Sequence, residues 1–347
     1  MKYLSLFSGI EAASVAWENF GWNCVGVSEV EKFPCELLNQ RYPNVPNLGD
    51  ITKITTEKLN ELGKIDIVVG GSPCQSFSVA GNRGGTDDPR GQLMFDYIRV
   101  VNTVKPKWFV WENVPGVLSS NKGRDFGTLL REMADIGYDL CWRVLDAKNF
   151  GVPQKRRRVF LVGHLGKNRS PAEVLFERKG RDRDLEKSRS SREEDSRETE
   201  KGVGNSSDYY EHHPNDSRTK GPLSTANTVA ARYGTGGGNT PIVVEGVKDP
   251  IGSLDCNGPD KLDGQWASTG QQVIENSTTT RVRRLTPLEC ERLQGFPDGW
   301  TNIEWKRWNK VVDTPASHRY KALGNSMAVP VMEWIGRGIM EQENDES

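Results

Sequence analysis

Short apolar runs of four or five residues recur along the first half of the chain: Tyr3 to Phe7, Cys24 to Val27, Ile65 to Val69, Trp108 to Trp111, Cys141 to Leu145 and Val159 to Val162. Stretches with helical spacing of apolar positions separate them. Gly91 to Val104 and Gly123 to Ile136 have the length of crossover helices, and Gly137 is placed as a C-terminal stop for the second. Strand runs alternating with helices form the βαβ rhythm of a doubly wound, mostly parallel α/β sheet.

The pattern changes after Leu165. Arg178 to Lys201 is mixed charge and serine with almost nothing apolar to bury, which predicts a mobile insert. Gly202 to Asn276 is rich in Gly, Thr, Asn and Pro with short β-like pieces, notably Asn227 to Tyr233 and Pro241 to Val244, and predicts a small irregular β-rich module. Ordered structure restarts near Arg283. Thr286 is an N-cap, Pro287 takes the first helical position and Glu289 completes a capping box. Ser326 to Met340 is helical in pattern, and the acidic end from Glu341 should fray. The predicted blocks are 1–165, 166–280 and 281–347.

A chain of 347 residues suits one large domain plus a smaller one. Its net charge of -1 supplies no global attraction for nucleic acid, so any such binding must come from local clusters of Arg and Lys. The six cysteines, Cys24, Cys35, Cys74, Cys141, Cys256 and Cys290, form no CxxC pair and no Cys/His ligand spacing. That argues against a disulfide framework and against a metal site, and suits a reducing cytoplasm. Met1 to Phe7 runs straight into a strand pattern without a signal-peptide layout, and no segment has the apolar length to span a bilayer.

Chemistry concentrates where apolar strands end. Ile65 to Val69 empties into Gly70-Gly71-Ser72-Pro73-Cys74, a turn that displays a cysteine directly after a proline. Taken alone, such a cysteine reads as a small buried hydrophobe; at a strand's carboxyl end it can be a nucleophile. The first strand ends in Phe7-Ser8-Gly9, and Glu29 follows the second, twenty residues after Gly9. This is dinucleotide-fold spacing without the phosphate-binding glycine motif, and it suits a nucleoside without pyrophosphate whose ribose hydroxyls Glu29 accepts; S-adenosylmethionine is such a ligand. A generic turn with a surface glutamate has the same pattern. Glu112 ends the strand at Trp108 to Trp111, so Gly9, Glu29, Cys74 and Glu112 each follow a separate strand and should converge on one crevice. Beside a methyl donor, a thiolate attacking carbon 6 of cytosine makes carbon 5 enamine-like and able to take the methyl group. In Gln154-Lys155-Arg156-Arg157-Arg158, strand alternation puts Arg156 and Arg158 on one face, from which one is expected to grip the base's exocyclic oxygen or a phosphate; taken alone, such a basic run reads equally as a phosphate-binding or solvated patch.

These residues resemble the bacterial or phage type of DNA cytosine-5 methyltransferase. The resemblance rests on Phe-Ser-Gly-Ile-Glu-Ala, Gly-Gly-Ser-Pro-Cys-Gln-Ser-Phe-Ser, Glu-Asn-Val, Gln-Lys-Arg-Arg-Arg, Arg-Arg-Leu-Thr-Pro-x-Glu-x-x-Arg-Leu-Gln-Gly-Phe-Pro and Gly-Asn-Ser-Met-Ala-Val-Pro, in that order over nearly the whole chain. It implies a Rossmann-like class I fold, with 1–165 as the cofactor-binding and catalytic domain, 166–280 as insert plus target-recognition domain, and 281–347 returning to the catalytic domain. By it Cys74 is the nucleophile, Glu112 contacts and protonates the ring edge, Arg158 and Arg156 steady the base, and Pro73 and Asn113 shape the pocket. Contacts to S-adenosylmethionine fall on Phe7, Gly9, Ile10, Glu11, Glu29, Val30, Asp50, Ile51, Leu93, Asn325 and Ser326. Val30 departs from the family pattern, which often has an aromatic residue there.

The resemblance further implies double-stranded DNA as partner, with Gln75, Ser78, Arg90, Thr228, Arg232 and Tyr233 contacting it, and a glycine-rich segment from Gln75 to Arg90 that closes behind a flipped-out base. Arg232, Tyr233, Asn239 and Thr240 are equally readable as plain loop residues. Monomeric action, a cognate restriction endonuclease without a stable complex or a phage-protective role, and a cytoplasmic, nucleoid-associated location also follow from the family. Two rivals stand beside this reading: a transfer-RNA cytosine-5 methyltransferase of the same fold, and a catalytically silent DNA-binding scaffold.

Overall fold

Six strands form the sheet of the first unit: β1 (Lys2–Leu6), β2 (Asn23–Ser28), β3 (Ile67–Gly70), β4 (Trp108–Asn113), β5 (Tyr138–Asp146) and β6 (Arg157–Leu165). Their order is β2-β1-β3-β4-β6-β5, with β1 parallel to β2 and β3, β3 parallel to β4, and β6 antiparallel to both β4 and β5. Only β6 therefore runs against the others, as a mostly parallel sheet allows. The computed structural model describes residues 1–72, 89–176, 209–213, 216–231, 233, 240–245, 272–274, 280–307 and 310–344. Two predicted segments, Arg178 to Lys201 and most of Gln75 to Arg90, lie outside them.

Strands β1, β3, β4 and β6 form because their apolar runs are buried on both faces, while β2 and β5 at the two edges are only partly buried, and α4 (Pro89–Val104) and α5 (Arg124–Ile136) supply crossovers. Gly137 caps α5 at φ 110°, a left-handed conformation that favours glycine. Tyr97, Phe109, Trp111, Leu129, Met133 and Leu161 pack as one core. At the sheet's carboxyl edge Gly70 is obligatory, since a Cβ there would lie 2.2 Å from the Leu6 carbonyl.

Clustering of contacts divides the chain into two units. The first comprises Met1–Asp146, Arg157–Arg183 and Val331–Ser347; the second comprises Ala147–Arg156 and Asp184–Pro330. The expected returning element is α9 (Val329–Asn344), which starts three residues later than the pattern predicts because Ser326 caps the preceding α8 (Ala316–Asn325). Ile335 and Ile339 of α9 are buried, and the Trp17 indole donates to the Met332 carbonyl at 2.9 Å. Gly336 admits that indole: a Cβ would lie 2.4 Å from Trp17 Nε1.

In the second unit, β7 (Tyr209–His213), β8 (Asp216–Leu223), β9 (Thr240–Glu245), β10 (Gln272–Ile274) and β11 (Thr280–Arg284) form an antiparallel sheet in the order β10-β11-β9-β7-β8. The predicted piece at Pro241 to Val244 falls in β9. The piece at Asn227 to Tyr233 is not a strand: Val229 is buried, the Thr228 hydroxyl donates to the Lys155 carbonyl, and a turn joins Ala230 to Tyr233. Next, α7 (Pro287–Leu293) carries the capping box between Thr286 and Glu289 that its sequence predicts.

Beneath the first strand end lies a buried carboxyl. Glu11 has φ 62°, and its side chain accepts hydrogen bonds from the hydroxyls of Ser5 at 2.8 Å and Ser14 at 3.0 Å. Burial pushes this carboxyl up from 4.5 to about 7, against the lowering effect of the two serines. The folded state thus keeps a proton that the unfolded chain releases, so the contribution of Glu11 to stability is fully present below about pH 4.5 and is lost as pH rises through about 7. Glu11→Gln is expected to be more stable than the parent at pH 8 by roughly 2 to 3 kcal/mol, with the gap closing toward pH 4.5. Urea unfolding across that range reads both, and a pH-independent difference would refute the assignment.

Candidate active site

The end of β4 presents Glu112 and Asn113, and β6 brings Arg158 beside them. Arg158 Nε lies 3.0 Å from Glu112 Oε1, with the two side chains only 14% and 13% exposed. Arg158 also donates to the Arg157 carbonyl at 2.8 Å, which orients the guanidinium. This is a nearly dry ion pair at a strand end, where charge-assisted hydrogen bonds count for more than in water.

Ser72 connects this pair to the segment of Cys74. The Asn113 amide donates to the Ser72 carbonyl at 2.9 Å, and the Trp111 indole donates to the Ser72 hydroxyl at 3.2 Å. Asn113 Oδ1 accepts the Val114 N–H at 2.8 Å, so both ends of its amide are engaged. Gly71 lies against the acid: a Cβ there would be 2.9 Å from Glu112 Oε2. The chain leaving Ser72 therefore starts beside Glu112. Pro73, Cys74, Gln75 and Ser78 lie outside the described residues, as does the side chain of Arg90.

A second group of predicted residues gathers where β1 and β2 end. Phe7, Gly9 and Glu11 all have positive φ, at 51°, 56° and 62°, which folds the loop tightly over the strand end. The Glu29 carboxylate accepts from the N–H groups of Gly9 at 2.8 Å, Val30 at 2.7 Å and Glu31 at 2.7 Å. These occupy three of roughly four acceptor positions on a carboxylate and leave capacity for a hydroxyl. Val30 beside it is 67% exposed, offering an apolar face without an aromatic ring. Phe7 and Leu93 are half-buried against the core.

The remaining cofactor candidates are placed differently. Asp50 caps the next turn, accepting from the Thr52 N–H at 3.0 Å and hydroxyl at 2.9 Å, and those bonds hold its carboxyl below the usual range. Ile10 and Ile51 are buried, and the Glu11 carboxyl is spent on Ser5 and Ser14, so these three side chains have no surface to give a ligand. Asn47 was not anticipated: its Oδ1 receives the N–H groups of Glu29 at 3.1 Å and Gly49 at 3.0 Å, bracing the acidic turn. An isolated loop asparagine carries no signal of that role.

In the second unit, Arg156 is buried and does not behave as a twin of Arg158. It precedes the strand, and its guanidinium donates to the carbonyls of Gly324 at 2.9 Å, of Ser326, and of Val229 at 3.5 Å. It therefore clamps the turn around exposed Asn325 instead of gripping a base; Ser326 is buried, its hydroxyl donating to the Met327 carbonyl at 3.2 Å. Tyr233 also corrects expectation. It is buried, edge-on to Tyr320 with ring centroids 4.8 Å apart, and its hydroxyl accepts the Leu285 N–H at 2.7 Å, so it has no free face for DNA. Thr228 spends its hydroxyl on Lys155, and Arg232 lies outside the described residues. Among the described residues no cluster of His, Cys, Asp and Glu suits a metal, and no helix is long and apolar enough to cross a membrane.

Comparison with known proteins follows the same lines. The family model for C-5 cytosine-specific DNA methylase matches residues 1–341. A protein of Escherichia phage P1, named DNA N-6-adenine-methyltransferase, is 33% identical over 97% of this chain, which spans 61% of that relative's length. The Type II methyltransferase M1.ScrFI of Lactococcus lactis subsp. cremoris is 28% identical over 98% of this chain and 78% of its own. Among solved structures, S. pombe Dnmt2 methyltransferase superposes with a TM-score of 0.63 over 99% of both chains at 17% identity, a likeness of fold.

Proposed function

This chain belongs to the C-5 cytosine-specific DNA methylase family, and from that premise we propose that it methylates carbon 5 of cytosine in duplex DNA of defined sequence, using S-adenosylmethionine. The observation that supports this most is the Glu112–Arg158 pair beside Ser72, the residue from which the Pro73-Cys74 segment departs.

In this reading the Cys74 thiolate adds to carbon 6 of a base flipped out of the duplex, while Glu112 delivers a proton to ring nitrogen 3. Carbon 5 becomes the nucleophile. S-adenosylmethionine supplies an electrophilic methyl group. With S-adenosylhomocysteine as the leaving group of the methyl transfer, loss of the carbon-5 proton to a base then expels the thiolate, and ring nitrogen 3 returns its proton to Glu112, which restores the ring. Arg158 holds Glu112 in register and faces the base's exocyclic oxygen. Asn113 keeps Ser72, and hence the root of the nucleophile's segment, against β4.

The residues at the ends of β1 and β2 fit the methyl donor. Glu29 retains acceptor capacity for ribose hydroxyls, Gly9 keeps the loop free of a side chain, and Val30 offers an apolar surface to the adenine. Asn325 is a further contact candidate. The five-stranded sheet of the second unit is the proposed reader of sequence. We assign the protein to a restriction-modification or phage-protective role as a cytoplasmic, nucleoid-associated monomer.

The name of the phage P1 relative points to adenine N6, a reaction in which the exocyclic nitrogen attacks the methyl group directly and no cysteine is needed. The protein incubated with S-adenosylmethionine and unmethylated genomic DNA is expected to leave 5-methylcytosine at one short motif, mapped at single-base resolution and identified by mass spectrometry. N6-methyladenine alone would replace this reading. Label in transfer RNA but not duplex DNA would move the substrate, and no label would revive the silent scaffold.

A further inference from the structure

We infer that Trp111 is a positioning residue for the reaction: its indole N–H, acting through the Ser72 hydroxyl, fixes the direction in which the chain leaves β3 toward Cys74. This rests on the reaction proposed above and assigns a further residue to it.

Side chains alternate along β4, so Trp111 and Asn113 share one face and Glu112 takes the other. The chain leaving β3 stays in step with that alternation. The ladder between the two strands pairs Gly70 with Trp111. Just beyond it, Gly71 lies against Glu112, where a Cβ would be 2.8 Å from the Glu112 carbonyl, and Ser72 lies against Trp111 and Asn113. Asn113 holds the Ser72 carbonyl at 2.9 Å, and the indole holds the Ser72 hydroxyl at 3.2 Å. One bond alone lets a residue swivel about it; a second bond, to the side chain, removes that freedom. Cys74 follows two residues later in the sequence.

The indole itself is fixed by the core. Trp111 is buried and stacks on Phe126 of α5, with ring centroids 6.0 Å apart and planes inclined by 28°. A buried indole N–H requires an acceptor, which a phenylalanine filling most of the same space would not. Here the acceptor is the buried hydroxyl at the root of the nucleophile's segment. Turnover is sensitive to displacements of the reacting groups of about 1 Å, so a hold at this root acts on the rate and not only on the fold.

The test compares Ser72→Ala, Trp111→Phe and the double variant with the parent, at equal amounts of folded protein. Each single substitution removes the same bond, and each is expected to lower kcat about three- to tenfold, the range of one hydrogen bond. KM for S-adenosylmethionine is expected to stay unchanged, because Glu29 and the N–H groups it accepts belong to other strand ends. The double variant is expected to turn over no more slowly than the slower single one. A merely structural role would lower the melting temperature and the yield of folded protein while leaving kcat per folded molecule at the parent's value. Where Trp111→Phe fails to fold, Ser72→Ala carries the test, since it leaves the Asn113 bond and the stacked ring in place. A kcat for Ser72→Ala within twofold of the parent, or losses that multiply in the double variant, would overturn the inference. Absence of methylation by the parent would overturn the proposed reaction instead. The hold is then read from the indole N–H resonance of Trp111, which is expected to move in Ser72→Ala; an unmoved resonance would refute it.

Discussion

Cys74→Ser is expected to abolish methyl transfer, lowering turnover by at least about a thousandfold while S-adenosylmethionine binds as before. The thiolate is the competent nucleophile, and at neutral pH a free cysteine is ionised to a few per cent whereas a serine hydroxyl is not ionised at all. The substitution is nearly isosteric, so geometry is not the explanation of the loss. The root of the segment survives it, because Ser72 is held by Asn113 and Trp111, which the variant leaves in place. The residues that serve the donor, Glu29 with the N–H groups of Gly9 and Val30, belong to other strand ends. Equilibrium binding of S-adenosylmethionine and single-turnover methylation of the mapped duplex check the two halves. Methylation by the variant within tenfold of the parent would remove Cys74 from the role of nucleophile.

The strand-end logic made most of the first unit readable. A run such as Trp108 to Trp111 is buried on both faces whatever it pairs with, so its position and the exit of Glu112 at its end follow from composition alone. Local chemistry was equally legible at Gly137 and at Thr286 with Glu289, where one cap satisfies one helix end. Arg156 and Tyr233 were misread for a common reason. Each has an apolar stem and a polar tip, so its type fits a displayed contact or a buried clamp, and only the partners decide. For Arg156 those partners are carbonyls about 70 and 170 residues away, which no spacing rule reaches. The alternation argument also took the strand to begin at Gln154, whereas β6 begins at Arg157. A ribbon of two strands, Trp305–Arg307 and Lys310–Val312, was overlooked because strands of three residues give too few alternations to register as a period.

Glu112→Gln is expected to lower kcat by about a hundredfold to ten-thousandfold, the range of a lost general acid, with KM for DNA little changed. Glutamine keeps the volume that Gly71 leaves open and can still offer an N–H toward a ring nitrogen, but it has no proton to deliver and no charge to hold Arg158. The loss therefore separates proton delivery from shape. Arg158→Ala is expected to fall in the same range, because an unpaired Glu112 at a nearly dry strand end loses its orientation. The double variant discriminates between two arrangements. If the ion pair acts as one unit, the combined loss equals the larger single loss; two independent contributions would multiply. Thermal unfolding serves as the control: the pair lies at the edge of the sheet, while the packing of β4 rests on Phe109 and Trp111 in the core, so the variants are expected to melt close to the parent. A Glu112→Gln enzyme with unchanged kcat would transfer the acid's role elsewhere, and multiplicative losses would leave Arg158 acting on the base without Glu112 as its partner.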